Sequence, residues 1–534
     1  MRIYSKQHLA RGGPAALSGL LAAFAALAVA EAVAGVVRQQ AGPVRQQAGP
    51  VVAVGGAAID RTPAAVKDWA IRSFGTNDKL VLQLGILLVL GALAVALGLL
   101  GIRHRRAAAA GVLLFGAIGA VAAMSRPDAD GPLDALPSLA GAVAGGLLLY
   151  VLIGRLTDGS VRSSDAGTAP GGWDRRGFLV VAAAAAAASA AAGALGRGLA
   201  SSSGKQAMAS RAAVRLPVPA SPAAAVPRGA APRIPGISPF VTSNEDFYRV
   251  DTALVVPKVD ATRWRLRVHG RGVGTPLDLT FRDLLQRELI ERDITLTCVS
   301  NEIGGPYVGN ARWIGVPLFD LLREAGVRPP SQGGPADQLV SRSVDGMTLG
   351  TPVEDVMDGR DAMLAIGMNG EPLPLEHGFP VRMVVPGLYG YVSACKWIQD
   401  IELTTFAAYD AYWVKRDWAR RAPVKTQARI DTPKPFARPK AGRVTIAGVA
   451  WAQHRGIDRV EVRIDDGPWR DADLAAQATT DTWRLWSLTW DATPGPHTLT
   501  VRATDGTGEV QTARRARTAP DGAGGRHSVV ITVD

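Results

Sequence analysis

The stretch Thr295-Leu-Thr-Cys298-Val-Ser-Asn301-Glu-Ile-Gly-Gly305 decides how the rest of this chain is read. Ile294, Leu296 and Cys298 alternate with polar neighbours, the pattern of one face of a short strand. The run then breaks into Ser300, Asn301, Gly304 and Gly305, so a thiol stands where a strand gives way to an irregular loop. A thiolate in that place suits a soft metal. It equally suits the ordinary fate of a free cysteine, a small buried hydrophobe. The only other cysteine is Cys395, and a Cys298–Cys395 disulfide is a third reading for an exported domain.

Outward from this stretch, the 534 residues leave room for about three domains. Residues before about Ala230 are rich in Ala, Gly, Leu and Val, whereas most Trp and Tyr residues come later. Five apolar runs reach or approach the length of a membrane span: Ala15 to Val37, Leu80 to Ile102, Ala107 to Met124, Leu136 to Ile153 and Phe178 to Ala200. Glu31 is a costly charge within the first. We therefore expect a transmembrane region of about four helices over 1–160, a fifth apolar helix within 161–200, and an extended Ala/Ser/Pro-rich linker over 201–235.

Charged loops orient these spans. Arg2, Lys6 and Arg11 precede the first, Arg103, Arg105 and Arg106 follow the second, and Arg155, Arg162, Arg175 and Arg176 precede the fifth. The loop between the third and fourth carries Asp128, Asp130 and Asp134. The positive-inside rule predicts an N-terminus inside and the chain beyond the fifth span outside the cytoplasmic membrane. Trp173-Asp-Arg175-Arg176-Gly-Phe178 reads either as that ordinary flanking charge or as an internal twin-arginine export signal. The loop after the first span repeats Arg-Gln-Gln-Ala-Gly-Pro-Val at 38–44 and 45–51, with no function we can assign. Of seven histidines only His104 lies near a span, so no haem is expected in this chain. The net charge of +12 comes from scattered residues without a nucleic-acid motif; an anionic membrane surface is the simpler partner.

From Pro239 the pattern is mixed α and β, with a strand at Trp264–His269, helices at Phe281–Leu289 and Leu318–Gly326, and a strand at Val381–Val385. Beyond Lys440 short strands recur at regular spacing: Val444–Ala450, Ile457–Ile464, Trp483–Trp490, His497–Thr504 and Ser528–Val533. That spacing predicts a small β-sandwich.

Six segments in this half then line up in one order: Asn244-Glu-Asp-Phe247-Tyr248-Arg249; the Cys298 stretch; Gly309-Asn-Ala-Arg312-Trp313; His377-Gly-Phe-Pro-Val-Arg382-Met-Val-Val-Pro-Gly; Lys396-Trp397-Ile; and Gly448-Val-Ala-Trp451 with Asp466-Gly-Pro-Trp469. In that order the chain resembles the sulfite oxidase family of molybdopterin-dependent oxidoreductases, in particular its membrane-attached bacterial members. The resemblance implies a mixed α/β molybdopterin domain over 236–425 and an all-β immunoglobulin-like domain over 426–534, which in relatives often forms a homodimer interface. It implies one Mo-molybdopterin per chain with Cys298 as the protein ligand, and two-electron oxygen-atom transfer as molybdenum moves between its +6 and +4 states. Arg249 is then expected near the metal, and His377, Arg382 and Lys396 on the pterin and its phosphate. Asn244, Phe247, Tyr248 and Ser343 match cofactor-lining positions.

The pattern departs from the family at two places. Family members follow the ligand cysteine with Asn-Arg, where this chain has Asn301-Glu302. A carboxylate there would repel a small dianion by roughly a few kcal/mol at close range. The position of the family's active-site tyrosine is Trp418, whose indole is a weaker donor than a hydroxyl. Arg249 and Arg312 remain as cations for an anion. The expected activity is oxygen-atom transfer on a small S- or N-containing substrate, with sulfite oxidation as the alternative. Electrons would pass to or from a separate carrier, a quinol or a redox protein. The reading from another class is a cofactor-free cell-surface binding protein presenting its sandwich, which molybdenum analysis would separate from an enzyme.

Overall fold

The computed structural model describes residues 2–40, 49–62, 66, 78–126, 129, 131–157 and 175–534. Residues 41–48 of the duplicated heptad, Asp128, Asp130, Arg162 and Trp173-Asp174 lie outside the described residues. The chain divides into two compact units, Met1–Gln206 with Ala253–Val256, and Ala207–Thr252 with Pro257–Asp534.

The first unit is helical: α1 (Arg2–Gln40), α2 (Pro50–Arg61), α3 (Asp78–Gly101), α4 (Arg105–Met124), α5 (Leu136–Thr157) and α6, which starts at Arg175. Among the described residues five helices are long and apolar enough to cross a membrane: Arg11–Val37, Leu80–Gly101, Arg105–Met124, Pro132–Thr157 and Arg175–Ala213. Small residues let their backbones meet. A Cβ on Gly19 or Gly98 would strike the backbone of Ala94 or Ala15, bringing α1 against α3. Gly141 and Gly145 likewise bring α5 onto Ala22, Ala26 and Ala30 of α1. Such contacts are how helices associate where no hydrophobic drive separates protein from lipid.

Two expectations change here. The region after the first span contains α2, an apolar helix of 12 residues that the loop reading missed and that is too short to cross. The expected linker is helical at its start, because the Ala-rich run keeps favouring helix until Ala213, shortly before Pro217 and Pro219. The rest of it is bound to the fold: Ser221 accepts from Glu291 N and donates its own N–H to Leu289 O.

In the second unit the mixed domain has β1 (Arg265–Gly270), β2 (Leu277–Thr280), β3 (Ile290–Thr297), β4 (Val308–Pro317), β5 (Gln338–Ser343), β6 (Thr348–Pro352), β7 (Met363–Met368), β8 (Glu371–Pro372), β9 (Arg382–Val384) and β10 (Ile398–Thr404). One sheet runs β2-β1-β10-β5-β6, the other β3-β4-β7-β8 with β9 also paired to β7. Only β1 and β10 are parallel within these sheets. Strand β7 is buried at every residue and forms the spine. The helix predicted at Phe281–Leu289 stops at Leu285. Thr280 caps it reciprocally with Asp283.

The C-terminal domain is all β: β11 (Gln427–Thr432), β12 (Gly442–Trp451), β13 (Ile457–Ile464), β14 (Trp469–Asp471), β15 (Asp473–Leu474), β16 (Arg484–Ala492), β17 (Gly495–Asp505) and β18 (His527–Val533). Sheets β11-β12-β16-β15 and β14-β13-β17-β18 enclose Ile446, Val460, Val462, Trp486, Leu499, Val501 and Ile531, an immunoglobulin-like sandwich.

This domain meets the loop that follows β3. Arg429 Nη1 donates to Gly305 O at 2.8 Å, and Trp483 Nε1 to Phe240 O at 2.8 Å. The imidazole of His527 lies where a Cβ on Gly304 would be, and Gly304 has φ +74, so glycine is required there on two counts. His527 Nδ1 accepts from Ile430 N at 3.0 Å. Burial first, then the Arg429 charge, pushes its pKa down to about 4. The unfolded chain, with an ordinary histidine near 6.5, binds a proton that the folded state refuses. Stability from this residue is therefore complete above about pH 6.5 and is lost as pH falls towards 4, by at most roughly 3 kcal/mol. We expect the urea midpoint of this unit to fall between pH 7 and pH 4.5, and His527→Asn to reduce that slope; an equal slope in the variant would refute the assignment.

Candidate functional site

Cys298 is the first residue beyond β3, and its N–H donates to Tyr307 O at 2.9 Å across the base of the loop. The Asn301 carboxamide braces the same loop by accepting from Tyr307 N at 2.8 Å. Both cysteines are free, so the disulfide reading is excluded. Burial raises the Cys298 thiol, while a contact from Ser300 N at 3.4 Å and the Lys396 charge pull it back down.

Around this thiol the chain gathers several sequence-predicted residues. Tyr248 is held with its hydroxyl desolvated, and a Cys298 thiolate nearby keeps that phenol protonated. Its ring stacks on Phe247 at 5.2 Å. Phe247 in turn stands edge-on to His377 at 5.7 Å and to Trp313 at 5.8 Å, so it forms the wall that fixes both. His377 is buried, with Nε2 2.9 Å from the Asn244 carbonyl oxygen. Burial foremost, helped by the Arg382 and Lys396 charges, lowers its pKa to about 4, so the ring is neutral at pH 7. A carbonyl only accepts; the proton must sit on Nε2, which leaves Nδ1 as a bare acceptor.

Two cations behave differently. Lys396 is engaged: its Nζ pairs with Asp251 at 3.0 Å and donates to Glu376 O at 3.2 Å. Arg382 has no carboxylate partner among the described residues. Its Nη1 donates to His377 O at 3.2 Å, its guanidinium lies 4.9 Å from the centre of the Trp313 ring, and its buried Nε has no partner. Burial lowers it to about 10, which still leaves it charged at neutral pH. Buried Ser343 also has a hydroxyl without a partner.

Other expected residues sit differently. Asn244 turns its side chain to Glu371 and Asn369 and offers only its backbone to His377. The Arg249 side chain is exposed. Trp418 is half-buried, packed on Tyr391 at 5.6 Å and Trp413 at 5.9 Å. Arg312 is committed to Asp293 through two bonds of 2.9 and 2.8 Å, which removes it as a free anion ligand.

Sequence reasoning missed Tyr389. Its hydroxyl is buried, raised to about 12 chiefly by desolvation, and it also feels the Cys298 charge. Gly390 beside it stands against the Thr297 carbonyl and the Tyr248 hydroxyl, at 3.8 and 3.9 Å from an added Cβ. The only sequence signal was the Pro386-Gly-Leu-Tyr389-Gly turn after a buried strand. Asp251 was missed as well, since one carboxylate in a loop carries no periodicity.

A family model described as an oxidoreductase molybdopterin binding domain matches residues 253–413, and one described as a bacterial Ig domain matches 427–501. Mitochondrial sulfite oxidase of Mus musculus is 31% identical over 290 residues, 47% of this chain and 53% of that protein. Sulfite oxidase of Gallus gallus is 31% identical over 319 residues, 51% of this chain and 68% of the relative. The oxidoreductase YuiH of Bacillus subtilis (strain 168) is 33% identical over 162 residues, 30% of this chain and 75% of the relative. The chain spans about half the length of the mammalian relatives it matches. Motifs, fold and relatives agree, and this chain belongs to the sulfite oxidase family of molybdopterin-dependent oxidoreductases.

Proposed function

We propose that this chain carries out oxygen-atom transfer, coupled to two electrons, at a molybdenum centre whose protein ligand is Cys298. The observation that carries the reading is Arg382, a buried guanidinium with an unpartnered Nε and no counter-carboxylate among the described residues, which has the Tyr248 phenol as a neighbour in common with Cys298. Such a charge is costly unless an anion completes it, and a pterin phosphate is an anion of that kind. The residues therefore fit the group. Arg382 would take the phosphate, with the Ser343 hydroxyl and the Nδ1 of neutral His377 as neutral partners for the pterin and Cys298 as the soft metal ligand. Lys396 contributes mainly through its field, since its ammonium already pairs with Asp251. When bound, Mo-molybdopterin supplies two-electron oxygen-atom transfer between the +6 and +4 states of the metal.

What the chain itself adds is orientation and protonation. Tyr248 offers a hydroxyl that burial keeps protonated, so it acts as a donor at the site, whereas the buried Tyr389 hydroxyl accepts from Lys425 N at 3.4 Å. Tyr248 supplies the hydroxyl chemistry that Trp418 cannot. Glu302, exposed on the loop after Cys298, sets a negative charge at the approach. That favours a neutral S- or N-oxide or related compound over sulfite. In this reading residues 236–425 are the cofactor domain and 426–534 the immunoglobulin-like domain. The apolar helices anchor both on the extracytoplasmic face of the cytoplasmic membrane. A separate quinol or redox protein carries the electrons.

Cys298→Ser should leave a folded protein with about a tenth or less of the wild-type molybdenum by elemental analysis, and negligible turnover, because a serine oxygen is a hard and far less acidic ligand. Full loading in that variant would refute the ligand assignment.

Purified enzyme is to be assayed with sulfite plus an artificial acceptor, and with sulfoxides plus a reduced dye. Glu302→Gln should raise kcat/KM for sulfite by about tenfold and leave that for a neutral sulfoxide within about twofold, from the loss of like-charge repulsion. Sulfite turnover unchanged by this substitution would show that the charge does not govern substrate choice.

Topology is checked by protease shaving of intact cells. The part after α6 should be cleaved in the wild type and protected when Arg175 and Arg176 are both lysine; protection in the wild type would place it inside.

A further inference from the structure

The strand that leads into Cys298, β3, is an edge strand. In the sheet order β3-β4-β7-β8 one side of β3 faces no other strand, and its odd-numbered residues turn their backbone groups outward. An edge is free to fray, and a ligand at its end would move with it. Here the edge is closed from outside. Ser221 takes the Leu289 and Glu291 positions. At the other end, next to the thiol, the partners of the outward backbone groups come from the C-terminal domain, while the Thr295 hydroxyl also donates to Asn310 Oδ1 of β4 at 3.0 Å. Thr295 N donates to Asp481 O at 2.9 Å, and Thr295 Oγ1 accepts from Trp483 N at 2.7 Å. The Gln453 carboxamide then donates both of its N–H bonds: one to Thr295 O at 2.9 Å, the other to Thr297 Oγ1 at 2.8 Å. Gln453 is almost fully buried. It lies two residues beyond β12, and its two acceptors, on Thr295 and Thr297, flank Leu296, two residues before Cys298.

We propose that Gln453 is a positioning residue for the Cys298 sulfur, so that the immunoglobulin-like domain is a working part of the metal site as well as an appendage to it. Glutamine suits the task because one planar NH₂ presents two donors in fixed geometry to a carbonyl and a hydroxyl two residues apart. The far side of the same loop is held by the same domain, through Arg429 on Gly305 and His527 against Gly304. Gln453 thus fixes the strand foot of the loop. Removing its donors leaves Thr295 O and Thr297 Oγ1 buried without them and frees the last turn of backbone before the sulfur. The inference rests on Cys298 as the metal ligand, and its test separates the two.

The full-length chain is prepared as Gln453→Met, which keeps length and bulk but donates nothing, and as Thr297→Val, which removes one of the two acceptors. In metal-free protein, alkylation by iodoacetamide is followed at each cysteine by peptide mass spectrometry. Gln453→Met should quicken reaction at Cys298 by about threefold or more, Thr297→Val by less, and Cys395 should not change. In metal-loaded protein the Mo(V) electron paramagnetic resonance signal should shift or broaden, and kcat should fall by about tenfold or more with KM within about threefold. Unchanged Cys298 alkylation in a folded Gln453→Met overturns the positioning role whether or not the metal is present. If wild-type protein holds no molybdenum, the metal assignment fails, while the alkylation result still decides whether Gln453 holds the sulfur. Equal acceleration at both cysteines would mean general loosening and would also overturn it.

Discussion

A guanidinium buried without a carboxylate is the constraint to which the centre of this protein conforms. Arg382 emerges at the start of β9, paired to the fully buried spine strand β7, so it cannot turn to water without pulling that strand apart. Its neighbours are neutral or partly polar groups: the His377 carbonyl, the Trp313 ring, the Tyr248 phenol that burial keeps protonated, and the Cys395 thiol. A carboxylate at any of these positions would complete the charge and close the place for an anion. The buried Asp251 carboxylate pairs with Lys396. The arrangement separates one cation whose charge is balanced from one whose charge is left open, and the open one is what a phosphate-bearing cofactor requires.

The histidine beside it follows from the same constraint. A charged imidazole against Arg382 would add like-charge repulsion to desolvation, and both act to keep His377 neutral. Its tautomer is then set by the Asn244 carbonyl. The pair Asn244–His377 therefore works through backbone and ring, with the Asn244 side chain turned away to Asn369 and Glu371. The aromatic wall of Phe247 and Trp313 holds this geometry by packing.

The loop of Cys298 shows why two domains are fused here. A strand end that presents a ligand, the role we propose for Cys298, cannot be covered by a further strand of its own sheet. Its free backbone groups still need partners once buried. Segments from Ser221 and from the sandwich supply them without blocking the loop tip, and Gly304 in the left-handed conformation leaves room for the His527 ring beside it.

Much of this was legible in the sequence. The strand-to-loop break at Cys298, the five apolar helices and the sandwich strands read as Ile457 to Ile464 and Ser528 to Val533 follow from short-range alternation and run length, which the backbone geometry of strands and helices imposes directly. The grouping of His377, Arg382 and Lys396 could be read from family motifs, but not that only Arg382 is left open, because that depends on Asp251, more than a hundred residues away from Lys396 in sequence. The exposure of Arg249 and the reach of Gln453 to Thr295 likewise left no local trace, and the burial of Tyr389 left only the turn around it. Sequence patterns record which residues face a core; which buried polar groups meet across 145 or 158 residues is decided only when the sheets and the sandwich close on one another.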